Sequence, residues 1–358
     1  MRGDDSYFLR FKLSGDQAMT TGVNPALETL MLAFEGESPL AVPKRALFLG
    51  AQAHPTLTQW PEVLGWQPLK PLAQIWENHG FPLTIILPAG TWPVVLMLPG
   101  KSRDETLAGF ALARQRLEPG GTMVIALPNT AGAARFEKAL ASATGKITSL
   151  QKNKCRVFYA TDDGHWNEDL FEEWLALSRM QPIPQSHFLT QPGVFSCDHI
   201  DPGSLLLAAH LPPNLRGNVA DLGAGWGFLS DAALRRCPKI SRLDMFEADV
   251  RAVACACVNL SVHDTDKLVY HWHDVTTGLP STYDAIVMNP PFHNGQAADI
   301  DLGRTFILTA AASLKRGGKL CLVANRQLPY EAVLDASGLR WRLIAQDATY
   351  KVIFADKR

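Results

Sequence analysis

The sequence predicts an α/β fold built twice: two tandem domains, each a mostly parallel sheet flanked by helices. Three observations carry this. Short apolar strands alternate with helical stretches along the whole chain, the grammar of strand–helix–strand units. The chain has 358 residues, more than one core usually supports and comfortable for two. The two halves also repeat each other. Leu117-Glu118-Pro119-Gly120-Gly121-Thr122-Met123-Val124 returns 197 positions later as Leu314-Lys315-Arg316-Gly317-Gly318-Lys319-Leu320-Cys321, each read as a helix end, a Gly-Gly turn and a strand. Val94-Val95-Leu96-Met97-Leu98-Pro99 returns 191 positions later as Ala285-Ile286-Val287-Met288-Asn289-Pro290, and Cys155-Arg156-Val157-Phe158 is matched near the end by Lys351-Val352-Ile353-Phe354. Three matches in one order at nearly one offset point to an internal duplication. The proline-containing stretch 178–193 reads as the connection, which sets the expected domains at 1–180 and 187–358.

Composition bounds the function. With 47% hydrophobic and 19% charged residues the chain is an ordinary globular protein. A net charge of -1 gives no global field for nucleic acid, so an RNA partner needs a local basic patch. The six cysteines form no CxxC pair and no His-Cys cluster of zinc spacing, which reads as reduced thiols. His271 and His273 lack a third ligand nearby, so no metal is expected. Neither a signal segment nor a membrane-length apolar run stands out, and a cytoplasmic location away from the membrane is the expectation.

The chemistry gathers in the second half. The strand Gly217-Asn218-Val219-Ala220-Asp221-Leu222 runs into Gly223-Ala224-Gly225-Trp226-Gly227, and a helix follows from Phe228. Glycines let the backbone turn sharply and let a ligand approach, while the helix start adds unpaired N–H groups. Dinucleotide folds open the same way, but Phe228 stands where their third glycine belongs. Asp221, two residues before the first glycine, suits a cofactor carrying an ammonium and a sulfonium better than a pyrophosphate. Glu247, at the end of the next strand, is placed to accept both hydroxyls of a ribose. Asp274, at the end of a third strand, is placed to accept from an adenine amine. The strand Tyr283–Met288 then enters Asn289-Pro290-Pro291-Phe292. Two prolines stiffen this turn and present carbonyls, Asn289 adds an amide acceptor, and Phe292 adds a flat apolar face. That combination suits an amine conjugated to a planar ring.

This order of motifs resembles the class I S-adenosylmethionine-dependent methyltransferases. More closely, the second half resembles the small-subunit ribosomal RNA guanine-N2 methyltransferases, with large-subunit relatives near. The resemblance rests on the glycine loop, on Leu189-Thr190-Gln191-Pro192-Gly193-Val194-Phe195-Ser196, on Asp201-Pro202-Gly203-Ser204 and on Asn289-Pro290-Pro291-Phe292-His293-Asn294-Gly295, and covers 187–358. It implies two tandem methyltransferase-like, Rossmann-like domains, S-adenosylmethionine as cofactor, and ribosomal RNA or a ribosomal subunit particle as partner. Gly223, Gly225, Gly227, Asp221, Glu247 and Asp274 become cofactor ligands, with Phe195 and Ser196 covering the cofactor. Asn289, Pro290 and Phe292 become the catalytic set, orienting and stacking the base. It also implies a first domain that has lost its cofactor site. In keeping with that, Ala46-Leu47-Phe48-Leu49-Gly50-Ala51 keeps one glycine and no acid, and Leu98-Pro99-Gly100-Lys101 has no amide and no ring.

Lys101 with Arg103, the cluster Lys146, Lys152, Lys154 and Arg156, and the cluster Arg235, Arg236, Lys239 and Arg242 are candidate RNA contacts, though solvated helix ends account for most such groups. A large-subunit guanine-N2 methyltransferase and a release-factor glutamine methyltransferase stay open as alternatives; the latter usually carries tyrosine where Phe292 stands. A dehydrogenase is disfavoured by Phe228, and a non-catalytic RNA-binding module by the intact Asn-Pro-Pro-Phe turn. Oligomeric state and the target guanine are not encoded legibly.

Overall fold

The computed structural model describes residues 24–35, 39–291 and 297–358. They fall into two compact units, 24–180 with 191–193, and 181–190 with 194–358.

The first unit holds a seven-stranded sheet made of β1 (Ala46–Leu49), β2 (Val63–Trp66), β3 (Leu83–Thr84), β4 (Trp92–Met97), β5 (Leu117–Pro128), β6 (Thr148–Lys152) and β7 (Cys155–Thr161). Their order is β3-β2-β1-β4-β5-β7-β6. The first five run parallel, and β7 lies antiparallel to both β5 and β6. In the second unit β8 (Gln181–Pro182) and β9 (Leu189–Thr190) form a small antiparallel pair. Its main sheet comprises β10 (Arg216–Leu222), β11 (Lys239–Glu247), β12 (Leu268–Trp272), β13 (Tyr283–Met288), β14 (Leu314–Asn325), β15 (Leu339–Gln346) and β16 (Tyr350–Lys357). The order β12-β11-β10-β13-β14-β16-β15 repeats that of the first sheet, again with only the penultimate strand reversed. The predicted pair of mostly parallel, helix-flanked sheets is what the chain forms.

Burial on both faces explains the continuous apolar runs of the central strands. Alternate residues divide between two cores in each unit. Leu47, Leu49, Val95 and Met97 face one side of the first sheet, and Ala46, Phe48, Val94 and Leu96 the other. In the second sheet the division is Ala220, Leu222, Ile286 and Met288 against Val219, Met245, Ala285 and Val287.

Register fixes which residues of the two units correspond. Leu49 pairs with Trp66 and Met97, and Leu222 with Phe246 and Met288. The chain then turns identically. The amides of Gly50 and Ala51 donate to the Trp66 carbonyl at 2.9 and 3.1 Å, and those of Gly223 and Ala224 to the Phe246 carbonyl at 2.8 and 3.1 Å. Phe48 therefore occupies the position of Asp221, Gln67 that of Glu247, and Leu98 that of Asn289.

Two local expectations need correcting. The segments read as helix end and Gly-Gly turn lie inside continuous strands, β5 and β14, with a register shift against β4 and β13. A glycine at positive φ, Gly120 at 76° and Gly317 at 73°, absorbs the irregularity within the strand. The stretch read as a bare connection contains the β8–β9 pair, which a distant asparagine holds as described below.

Candidate active site

The glycine loop leaves β10 at Leu222 and ends in the helix Phe228–Arg236. Gly223, Gly225 and Gly227 have φ of 69°, 54° and 94°. Gly227 is the residue before the helix, where a side chain would be strained by φ and would crowd Leu260 Cδ1 at 3.1 Å. At Gly225 an added Cβ would meet nothing within 4 Å, so the loop opens onto free space there.

Two carboxylates adjoin this loop, and a third follows the end of β12. Asp221 has no exposed surface. Its Oδ2 accepts from Ser230 Oγ at 2.7 Å, while its Oδ1 is buried with no partner among the described residues. Burial pushes this carboxyl up to about 7, partly opposed by the Ser230 hydrogen bond. A carboxylate held dry with one empty lone-pair face is electrostatically incomplete and calls for a cation. Glu247 ends β11; its Oε2 accepts from the Gly225 amide and its Oε1 from the Asp249 amide, each at 2.8 Å. Burial raises its pKa also. Asp274 lies two residues beyond the end of β12 rather than at the strand end the sequence suggested. It caps the turn Val275–Thr277, its Oδ1 accepting from the Thr276 amide at 2.9 Å and hydroxyl at 2.7 Å.

Phe195 is 53% exposed, and its carbonyl accepts from Trp226 Nε1 at 3.1 Å, which tethers this segment to the glycine loop. Ser196 has φ of 52° and donates its hydroxyl to the His199 carbonyl at 2.7 Å. Trp226 itself is buried, its ring 5.0 Å from Phe188 and 5.9 Å from Phe228, so the indole fills the core.

Asn259 holds these pieces together. Its Oδ1 accepts from the Leu189 amide at 2.7 Å, and its Nδ2 donates to the Leu189 and Trp226 carbonyls at 2.8 Å each. One side chain thus ties β9 to the glycine loop. Asn259→Ala leaves these buried groups without partners and should lower the unfolding free energy of the second unit by roughly 3 kcal/mol. Urea denaturation measures it; a loss below about 1 kcal/mol would contradict the clamp.

Asn289 follows β13 directly, with its carbonyl 3.8 Å from where a Cβ on Gly223 would stand. Its Nδ2 donates to Asp201 Oδ2 and to Ser204 Oγ, both at 2.9 Å. Its Oδ1 is buried and has no partner among the described residues. Pro290 is buried beside it, and Phe292 lies outside the described residues. The structure thus brings Asp221, Glu247, the three glycines and Asn289 to the same ends of neighbouring strands. The sequence did not reveal Asp201, Ser204 or Asn259 as parts of this arrangement; only the place of Asp201-Pro202-Gly203-Ser204 among the motifs carrying the resemblance hinted at the first two.

Other candidates are engaged elsewhere. Arg235 pairs with Asp231 at 2.8 Å, Arg242 with Asp244 at 2.9 Å, Arg156 with Glu137, and Arg236 donates to the Leu211 carbonyl. Lys146, Lys152, Lys154 and Lys239 are exposed. His271 bonds Asp244 at 3.1 Å and stacks on Phe246, and His273 faces the Gly278 carbonyl at 2.7 Å. No group of metal-ligating side chains occurs among the described residues.

The matching positions of the first unit have other chemistry. Phe48 is fully buried, edge-on to Trp76 at 5.9 Å. Gln67 donates from Nε2 to the Ala51 carbonyl at 2.9 Å, where Glu247 instead accepts from the loop. Leu98 has no amide to offer. A Cβ on Gly65 would lie 2.5 Å from the Trp76 ring, so the indole occupies the space above β2.

The Methyltransferase small domain family model matches residues 185–354. The ribosomal RNA small subunit methyltransferase C of Shewanella amazonensis is 30% identical over 254 residues, which span 70% of this chain and 73% of that protein. Its namesake from Psychromonas ingrahamii is 28% identical over 265 residues, spanning 73% and 74%. The solved T. Thermophilus 16S rRNA N2 guanine methyltransferase, in complex with AdoMet and guanosine, superposes with a TM-score of 0.76 at 26% identity and covers 94% of this chain and 92% of its own. No described helix is long and apolar enough to cross a membrane. The chain belongs to the ribosomal RNA small subunit methyltransferase C family.

Proposed function

We propose that this chain transfers a methyl group from S-adenosylmethionine to the exocyclic N2 amine of a guanine in small-subunit ribosomal RNA. The observation that carries the proposal is the Asn289 amide: its nitrogen is held from behind and its oxygen is free, beside the glycine loop. The T. Thermophilus relative, solved with AdoMet and guanosine, supports both the cofactor and the base.

The residues present fit that cofactor. Asp221 offers an orphaned, buried carboxylate oxygen to a cationic ligand, and Gly225 leaves room for it. Glu247, ending β11, is the acid for the ribose hydroxyls, and Asp274 the acceptor for the adenine amine. Phe195 and Ser196, tethered through Trp226, cover the same side. S-adenosylmethionine, when bound, supplies a methyl group already activated by its sulfonium.

What the protein adds is alignment. Asn289 Oδ1 accepts one N–H of the amine and the Pro290 carbonyl the other. Holding both N–H groups in the plane of the base turns the nitrogen lone pair out of it. Phe292 stacks the base after it leaves its helix or loop. No side chain has to remove a proton before attack, because the amine becomes acidic once it carries the extra methyl.

Labelled cofactor offered to unmodified small-subunit particles, large-subunit particles and release factor tests the assignment. Label enters small-subunit RNA; label confined to the large subunit or to release factor would overturn it. The first unit, with Phe48, Gln67 and Leu98 at the key positions, takes no cofactor. Calorimetric titration should therefore give one cofactor per chain, and a stoichiometry of two would contradict a single site.

A further inference from the structure

We propose that Asp201 and Ser204 are positioning residues that fix which end of the Asn289 amide faces the substrate. The inference rests on the role given to Asn289 above and adds what enforces it. An asparagine amide is nearly symmetric in shape but opposite in chemistry at its two ends. Turned one way it accepts from an N–H of the substrate; turned the other it presents N–H groups and repels the same amine. Nothing in the strand–turn geometry of β13 chooses between these.

The helix Pro202–His210 chooses. Asp201 caps it, with Oδ2 accepting from the Ser204 amide at 2.7 Å, and Pro202 fits the first turn because it has no N–H to satisfy. The same Oδ2 accepts from Asn289 Nδ2 at 2.9 Å, and Ser204 Oγ accepts from it as well at 2.9 Å. Gly203 lets Tyr350 lie against this turn; a Cβ there would come within 2.9 Å of the ring. An oxygen of Asn289 in place of its nitrogen would face the Asp201 carboxylate, a repulsive contact in a partly dry site. Both N–H groups of the amide are thus spent behind the site, and Oδ1 is left forward. The consequence is selectivity for a nitrogen that still carries N–H. An amine is accepted, whereas a ring nitrogen that offers only a lone pair is not held.

Asp201 also caps a helix, so its removal alone cannot separate positioning from stability. Three variants do. Asp201→Ser keeps a capping oxygen but is too short to reach Asn289; kcat should fall about 100-fold, with cofactor Kd and melting temperature near those of the unmodified protein. Asn289→Asp sets two carboxylates face to face and should lose activity. Adding Asp201→Asn to Asn289→Asp removes the facing charge and lets an amide nitrogen donate behind the site. Because one atom, Oδ2, serves both Asn289 and the Ser204 amide, that nitrogen displaces the cap; kcat should recover at least about tenfold over the single variant while the melting temperature falls. Near-normal kcat in Asp201→Ser, or a folded double variant no better than Asn289→Asp, would overturn the proposal. An activity-free check is the Asn289 side-chain amide signal in a nitrogen-15 spectrum, identified by its absence in Asn289→Asp. Its protons should be protected from exchange in the unmodified protein and lose that protection in Asp201→Ser; unchanged protection would also overturn the proposal. All kcat comparisons use whichever product the unmodified enzyme makes, so a different target nucleotide would revise the substrate without touching these outcomes.

Discussion

Replacing Asn289 with alanine should lower kcat at least about 1000-fold while changing cofactor affinity less than about threefold, a loss on the scale of removing one preorganised polar group from a transition state. The separation between the two effects follows from geometry. The carboxylates and glycines assigned to the cofactor lie on β10 and β11, their loops and the turn after β12, whereas the Asn289 side chain bonds back to the helix at Pro202–His210. Single-turnover rates at saturating cofactor, alongside equilibrium binding, read both quantities. An Asn289→Ala enzyme with a near-normal rate would remove the amide from the mechanism. An enzyme that lost cofactor binding first would move Asn289 into the cofactor site.

Asp221→Asn should make the cofactor-free protein more stable and a worse binder. In the folded chain burial pushes the Asp221 carboxyl from 3.8 to about 7. Between those values the unfolded chain gives up a proton that the folded chain retains, so stability falls as pH rises and levels off above about 7. The gap corresponds to about 4 kcal/mol of destabilisation at pH 8, which asparagine removes. A cationic ligand beside Oδ1 favours the ionised form. Cofactor affinity of the unmodified protein should therefore weaken as pH falls below about 7, by up to about tenfold per unit, and the pH slope should vanish in Asp221→Asn. The variant should bind roughly 30-fold more weakly at pH 8, the loss of a charge-assisted contact in a dry site. Thermal melts without cofactor and titrations from pH 6 to 8 supply both numbers. A variant with unchanged affinity, or one that keeps the pH slope, would place the cation elsewhere.

The parts legible in the sequence were those whose residues are contiguous. A strand running into Gly223-Ala224-Gly225-Trp226-Gly227, an acid ending the next strand, and a strand running into Asn289-Pro290 each announce themselves within ten residues. The repeated plan of the two sheets was legible for the same reason, since the strand-forming segments recur in one order. The supports were not. Asp201 meets Asn289 across 88 positions, and Asn259 meets Leu189 across 70. Both stand at helix ends; Asn259 has no local signal separating it from solvated neighbours, and the motif Asp201-Pro202-Gly203-Ser204 marked its segment without showing what Asp201 touches. Arg235 and Arg242 illustrate the converse: in sequence they looked available to RNA, and in the fold each is paired with a buried aspartate. Trp226, inside the glycine loop, is a core residue because Phe188 and Phe228 surround it, which its local sequence does not announce.

The most direct test of the central claim is the identity of the methylated nucleoside. Small-subunit particles methylated by this protein would be digested to nucleosides and analysed by mass spectrometry against standards. An amide oxygen held forward to accept from an exocyclic amine predicts N2-methylguanosine as the product. Methylation at a ring nitrogen that carries no hydrogen, such as the 7-position of guanine, or on a ribose hydroxyl would contradict it, because neither presents the N–H that Asn289 is oriented to receive.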